Sequence, residues 1–258
     1  MGKKLSYLSL VTLIFGGITA VYFWKNSDVP APKLEDVKVN PTATPSGPRY
    51  TVPKEADLSA ENAKMPSLDE SDPTFRGAMI KLFGKDQVDL LFNSENLVRR
   101  LVVTVTNSDE RRLSPDYFPL NPLQGKFLIY KEGDHLYIDR KNDERYLQFI
   151  NLINDVSPKL VAKVYLHFYP LFQSAYAEIS NQSYFNDRLV VAIDHLLSTP
   201  EINGPIELLP LNKSFGYADE SLEHLSGSQK MFLRVGLKNE IKGKEWLRQF
   251  RNQVILGQ

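Results

Sequence analysis

Twenty consecutive residues without a charge, Leu5–Trp24 (LSYLSLVTLIFGGITAVYFW), restrict this chain more than any other stretch. A helix of that length, at about 1.5 Å per residue, matches the roughly 30 Å hydrocarbon core of a bilayer, so the run is long enough to cross. A cleaved signal peptide would carry an apolar region of about 7 to 15 residues ending in small residues. Here Ile18 stands two positions before Ala20 and the apolar run continues to Trp24, so an uncleaved transmembrane helix over 5–24 is expected. Lys3, Lys4 and the amino terminus precede the run, whereas Lys25 follows it with Asp28 close behind. The positive-inside bias then keeps residues 1–4 cytoplasmic and sends the remainder outward.

Behind the anchor, residues 25–66 hold seven prolines and no apolar periodicity, which predicts a Pro-rich disordered linker. As a flexible coil it would reach roughly 35 Å. From residue 67 to 258 the text turns globular, and one domain is expected. Lys+Arg and Asp+Glu are 31 each, so no global field draws in a polyanion, and no nucleic acid is expected. The absence of cysteine excludes disulfides, thiolate zinc sites and thiol nucleophiles.

The periodicity predicts a mainly α domain with a small β-hairpin. Ser71 or Asp72 is a candidate cap with Pro73 at the first helical position, followed by Phe75, Met79 and Leu82 at helical spacing up to Gly84. LVRRLVVTVT is ambiguous between helix and strand; Leu97, Leu101, Thr104 and Val105 would share one helical face, which favours helix. Alternating runs on either side of Gly133 and Asp134 predict a hairpin, and two stretches around EINGPIELLPL and FGYAD read as a second β pair. LVAKVYLHFYPLFQSAYAEI predicts one central helix kinked at Pro170, whose Tyr-rich stripe reads as packed core, with a groove for a ligand as the alternative.

Two stretches gather residue types that chemistry uses. YFNDRLVVAIDHLLS holds Asp187, Arg188, Asp194 and His195; on a helix they share the side opposite Leu189, Val190, Ile193 and Leu196. Asn186 is then the natural cap, Asp187 suits the first turn and His195 the last. Asp187 and Asp194 would lie about 10.5 Å apart along the axis, too far to share a proton. Near the C-terminus, Lys244, Arg248 and Arg251 form a basic face that reads by default as a solvated outer face, and as the sharper alternative, with Trp246 as an anchor, as a contact for an anionic lipid, an acidic glycan or an acidic partner. The trios Asp69, Glu70, Asp72 and Asp219, Glu220, Glu223 fall where helices begin, as the helix dipole favours. Ser226 to Lys230 misses the S-x-x-K spacing and reads as a turn and cap. The four histidines have no partner histidine at i+3 or i+4, and no Gly-rich phosphate loop, H-E-x-x-H or G-x-S-x-G is present. No catalytic residue, metal or cofactor is expected.

LDESDPTFRGAM, LVRRLVVTV, YPLFQSAYAEI, YFNDRLVVAIDHLLSTPEI, FGYADESLEHLSGSQKMFLRVG and KEWLRQFRN together resemble the bacterial family catalogued as domain of unknown function 3014. VTVTNSDE departs from it, with Thr106 where an acidic residue is expected. The resemblance implies a single-pass bacterial envelope protein and carries no activity, cofactor or catalytic residue. With the anchor and tether it predicts an inner-membrane protein, N-terminus cytoplasmic and domain periplasmic, that interacts with envelope proteins or the cell wall without being an enzyme. An enzyme cleaving envelope glycan or peptide and a ligand-binding sensor module are the alternatives.

Overall fold

The computed structural model describes residues 47–53, 65–123, 125–181, 184–212 and 214–255. Leu5–Trp24 lies outside them, and among the described residues no helix is long and apolar enough to cross a membrane. In chain order come α1 (Ser71–Phe83), α2 (Lys85–Leu91) and α3 (Leu97–Thr106), then β1 (Ile129–Glu132) and β2 (His135–Ile138). Next are α4 (Asn142–Asp155), α5 (Pro158–His167), α6 (Tyr169–Ile179) and α7 (Phe185–Leu197). The chain closes with β3 (Glu207–Pro210), β4 (Phe215–Tyr217), α8 (Glu220–Glu223), α9 (Gly227–Arg234) and α10 (Leu237–Gln253). The domain is thus mainly helical with one small antiparallel sheet.

Pro170 breaks the expected central helix outright instead of kinking it. Its ring nitrogen has no proton to donate back to the preceding turn, so α5 ends at Phe168 (φ −89°, ψ 4°) and α6 restarts with Pro170 in its first turn, where no donor is needed. The break lets the halves pack on different neighbours: α5 lies against α10, and α6 against α3. Phe168 itself is buried edge-on against Phe75, with ring centroids 5.1 Å apart.

α10 is the middle of the main core, flanked by α4, α5 and α7. Phe172 stacks on Phe185 at 5.7 Å, and Trp246 on Phe250 at 5.2 Å. Phe172, Phe185 and Phe250 are almost fully buried, and each contributes about 1.5–3 kcal/mol of transfer free energy. Tyr165 and Tyr176 are buried in the same cluster. The packed core expected of this stripe is therefore what forms, and the alternative groove beside Pro170 does not. Leu97, Leu101, Thr104 and Val105 are all buried, which is the helical face read for α3.

Local capping departs from expectation at the start of the domain. Asp72 does not cap α1, which starts at Ser71 behind Glu70. Its carboxylate instead accepts from the N–H groups of Asn96 (2.6 Å) and Leu97 (2.9 Å), satisfying the start of α3. Asn96 is held in the left-handed region, φ 52°, beneath it. In contrast, α9 opens as read from the sequence, with a full capping box between Ser226 and Gln229.

The hairpin and the second β pair join into one sheet of order β1-β2-β3-β4. Glu132 pairs with His135 across Gly133 and Asp134, and Gly133 takes a φ of 60° that a two-residue turn of this kind demands. The register Leu136↔Leu208 joins β2 to β3, and Leu208↔Tyr217 joins β3 to β4. One apolar row thus crosses the sheet and packs on Leu222 and Leu233 as a second, smaller core.

The tether read over 25–66 is not uniformly open. Residues 47–53 lie on the domain, with the N–H groups of Arg49 (3.0 Å) and Tyr50 (2.7 Å) donating to the two oxygens of Asp187. The Tyr50 ring packs against the main core and sits near the guanidinium of Arg251, 5.8 Å from its centroid.

Candidate functional site

The four polar residues of α7 do share an outer side, yet none of them is idle. α7 begins two residues earlier than expected, after Tyr184, so Asn186 is not its cap but a fully buried junction. Asn186 accepts from Tyr165 Oη (2.9 Å) and donates to the carbonyls of Tyr50 (3.1 Å) and Val254 (2.9 Å). The Phe185 N–H is satisfied instead by Gln173 Oε1 at 2.9 Å. Arg188, whose side chain is 11% exposed, donates to the Thr106 carbonyl at 3.1 Å through Nε and pairs with Asp109. Asp194 is clasped by Arg251 at 2.7 and 3.1 Å. His195 Nε2 lies 2.8 Å from Ser226 Oγ, and burial lowers its pKa. Each group joins α7 to a neighbour: the 47–53 segment, the end of α3, α9 and α10.

The basic face expected on α10 is corrected by the structure. Lys244 is 2% exposed; its Nζ donates to the Thr199 carbonyl at 2.5 Å and to Glu201 Oε1 at 2.9 Å. Trp246 is buried too, its Nε1–H donating to the Val156 carbonyl at 3.1 Å. Arg251 is taken up by Asp194, and only Arg248, with a side chain 51% exposed, stays on the wet face. The reason is that α10 has helices on three sides, so the arc of polar residues adjoining Leu247 and Phe250 is covered as well.

The open chemistry lies elsewhere, where the sheet meets the α9–α10 junction. A cleft of about 680 Å³ is bounded by Tyr130 and Ile138 of the sheet, residues 139, 140 and 143, the 202–206 segment, and Leu233 to Lys238 with Glu240. Its size is within the usual range for small-molecule sites. Gly236 makes the geometry possible. It has a φ of 84°, and any side chain there would collide with the Asp143 carboxylate. Asn239, buried beside it, ties α10 back by donating to the Asp143 carbonyl (3.1 Å) and the Val235 carbonyl (2.8 Å).

Two carboxyl groups in this cleft are perturbed in the same direction for the same reason. Burial raises Asp143, with the nearby Arg140 pulling the other way. Burial pushes Glu240 up to about 7 against the opposing pull of Lys244. Glu240 is 1% exposed; its Oε1 lies 2.9 Å from Lys244 Nζ, but off hydrogen-bond geometry, and accepts no hydrogen bond among the described residues. Deeper in the junction Arg234 lies over the rings of Phe127 (5.7 Å) and Tyr217 (5.6 Å). Burial holds the Tyr146 phenol at about 12. Nothing in the sequence reading singled out Asp143, Glu240 or Lys238. The available signal was Gly236 between two helices, a position where the chain must pass close to something.

A mainly helical domain with a four-stranded sheet, carrying a mixed-charge cleft at their junction, is the class this architecture defines. The chain belongs to the family described as Protein of unknown function (DUF3014), whose model matches residues 97–251. No curated protein and no solved structure matches the chain.

Proposed function

We propose that this is a non-enzymatic binding module of the bacterial envelope. Leu5–Trp24 anchors it in the inner membrane, the Pro-rich tether carries it into the periplasm, and the cleft between the sheet and α10 is where it engages an envelope protein or the wall. The observation that carries the reading is the contrast in partnering: the charged groups of α7 are all taken up internally, while Arg140 and Lys238 line the cleft exposed and Glu240, also in its lining, meets Lys244 at 2.9 Å with no hydrogen bond to its Oε1 among the described residues. An unsatisfied buried acceptor is costly and calls for an explanation such as a ligand.

Photo-crosslinking in intact cells tests this, with the reactive side chain at Tyr130 or Lys238 in the cleft and at Arg248 on the outer face of α10. Adducts from the cleft positions are expected. Adducts from Arg248 alone, or from none of the three, overturn the reading. A second reading, an acid–base hydrolase acting on envelope glycan or peptide, draws on the raised pKa of both Asp143 and Glu240 in one cleft. Turnover of a wall fragment that disappears in Asp143→Asn would favour it over the binding module.

A further inference from the structure

We propose that β1 is an interaction edge that takes a second copy of this chain, pairing antiparallel with itself about Tyr130 so that the sheets of the two copies join into one. This goes beyond the cleft and draws on the anchored reading at a single point, given below.

The two ends of the sheet are finished differently. At the β4 end, Tyr217 turns its N–H away from β3 and donates to Glu223 Oε2 at 2.8 Å, and Gly216 and Tyr217 are buried. At the other end β1 is exposed from Tyr130 to Glu132, and no strand lies beyond it among the described residues. The hairpin fixes which backbone groups face out. Glu132↔His135 closes the turn, and the Asp139 N–H donates to the Leu128 carbonyl at 3.1 Å. Bonds to β2 and its continuation therefore fall on residues 128, 130 and 132, which leaves the N–H and C=O of Ile129 and Lys131 pointing off the sheet. An outward row of this kind is a template for another strand.

The side chains favour a second copy as that strand. A two-fold axis at Tyr130 puts Ile129 opposite Lys131 of the second copy and Lys131 opposite its Ile129, so the outward groups meet as hydrogen-bonded pairs on both sides of the axis. Tyr130 then faces its own counterpart in a pair without hydrogen bonds, where side chains come closest. Each Tyr130 already stacks on Tyr137, with ring centroids 5.3 Å apart, so the join lines up a row of rings across the exposed face. Charge obeys the same symmetry, because Lys126 comes opposite Asp134 of the second copy and Glu132 opposite Leu128. A centre at Lys131 would set two ammonium groups against each other, which is repulsive. A centre at Ile129 would set Tyr130 against Leu128 and break the row of rings. The contact is small beside the roughly 1,200 Å² of a stable interface. Two chains anchored in one membrane are concentrated against each other, which is what a contact of this size needs; here alone the inference rests on the anchored reading.

The chain has no cysteine, so single cysteines report proximity cleanly. In a pair without hydrogen bonds the Cα atoms lie about 4.5 Å apart, within reach of a disulfide. Tyr130→Cys, Glu132→Cys and Leu209→Cys are each placed in the full-length chain, and membrane vesicles are oxidised with copper phenanthroline and resolved without reductant. Glu132 would stand about 14 Å from its counterpart, and Leu209 belongs to β3, further from the join, although both are exposed. Disulfide-linked dimer from Tyr130→Cys is expected at least about fivefold above either comparator. Adding Lys131→Pro, which removes an outward N–H and no bond to β2, should bring it down to their level. The proposal is overturned if Tyr130→Cys stays monomeric, if all positions crosslink alike, if Ile129→Cys crosslinks better than Tyr130→Cys, or if Lys131→Pro changes nothing. Should Lys131→Pro lower the unfolding midpoint, the ratio between positions decides the matter by itself. If the chain does not sediment with membranes the anchored reading fails, and the same ratio in concentrated solution still judges the pairing. Photo-adducts at Lys238 report the cleft separately, so either reading can fall alone.

Discussion

The polar side of α7 and the cleft beside α10 have nearly the same ingredients, carboxylates and basic side chains on or next to a helix, and opposite outcomes. On α7 each charge meets a defined counterpart: Asp187 holds two backbone N–H groups of residues 49 and 50, Arg188 holds the Thr106 carbonyl and Asp109, and Asp194 holds Arg251. In the cleft, Asp143 rests against a glycine, Arg140 and Lys238 stand exposed, and Glu240 meets Lys244 at 2.9 Å without a hydrogen bond to its Oε1 among the described residues. Residue type did not separate the two regions; completeness of partnering did. A charge that a fold has already paired is committed to stability, and one left incomplete in a cavity is available for binding.

The comparison breaks most readily at Lys244, which belongs to the structural side although it borders the cleft's Glu240. Lys244→Ala would leave Glu240 buried with no counter-charge and the Thr199 carbonyl without its donor, at a cost of about 3–5 kcal/mol. Arg248→Ala, four residues on and exposed, should stay within about 0.5 kcal/mol. Denaturant unfolding of the two variants side by side checks this, and equal, small losses would mean that Lys244 is not the internal tie described.

Glu240 gives the next largest effect. Its unfolded-state carboxyl releases its proton near pH 4.5, whereas the folded one retains it to about 7. Over that interval the native state binds more protons than the unfolded one, so the Glu240 contribution is fully present below about pH 4.5 and is lost as pH rises through 7. The size is on the order of 3 kcal/mol. His195, lowered by burial, works in the opposite sense, its contribution being lost as pH falls below the usual imidazole value. The difference between the wild type and Glu240→Gln isolates the carboxyl: the variant should lose the decline between pH 5 and 8, and an unchanged profile would refute the assignment.

How far the sequence anticipated this depends on how local each cause is. The Ser226 cap, the Gly133 turn and the helix at Leu97–Thr106 follow from a few adjacent residues, and all were legible. The β2–β3 pairing was not, because Leu136 and Leu208 are far apart in the chain and nothing between them marks the register. The fate of Lys244 was half legible. At about 100° per residue it lies only about 60° around the helix from Leu247, nearer the buried arc than the wet one. The i, i+4 partner Glu240 stood in the sequence as well, and grouping Lys244 with Arg248 hid that pairing. Asn186 was misread for a related reason: the residue type is a strong cap, but three partners from Tyr50, Tyr165 and Val254 come from distant segments.

Asp187→Ala probes the seam between tether and domain. It removes the acceptor of two backbone N–H groups, one of them half-buried, and should cost about 1–2 kcal/mol of global stability. Its sharper consequence is local: the 47–53 segment would lose two of its hydrogen bonds to the domain, and cleavage by trypsin after Arg49 should accelerate well before the domain unfolds. Unchanged cleavage would show that Tyr50 packing and the Asn186 hydrogen bond to its carbonyl secure the segment.

The smallest effect sharpens the comparison most, because it concerns a pair that looks strong. Arg251 meets Asp194 through two nitrogens, and hydrogen bonding to Asp194 raises the arginine pKa. Yet the Asp194 side chain is 44% exposed, so water screens the pair and compensates either partner when the other is removed. Exposed ion pairs are typically worth about 0.2–1 kcal/mol, with two-nitrogen arginine pairs toward the upper end. A double-mutant cycle with Asp194→Ala and Arg251→Ala should therefore return a coupling below about 1 kcal/mol that shrinks further in high salt. A larger, salt-insensitive coupling would place this pair with Lys244 as part of the buried frame, and the division between committed and available charge would have to be redrawn around α10.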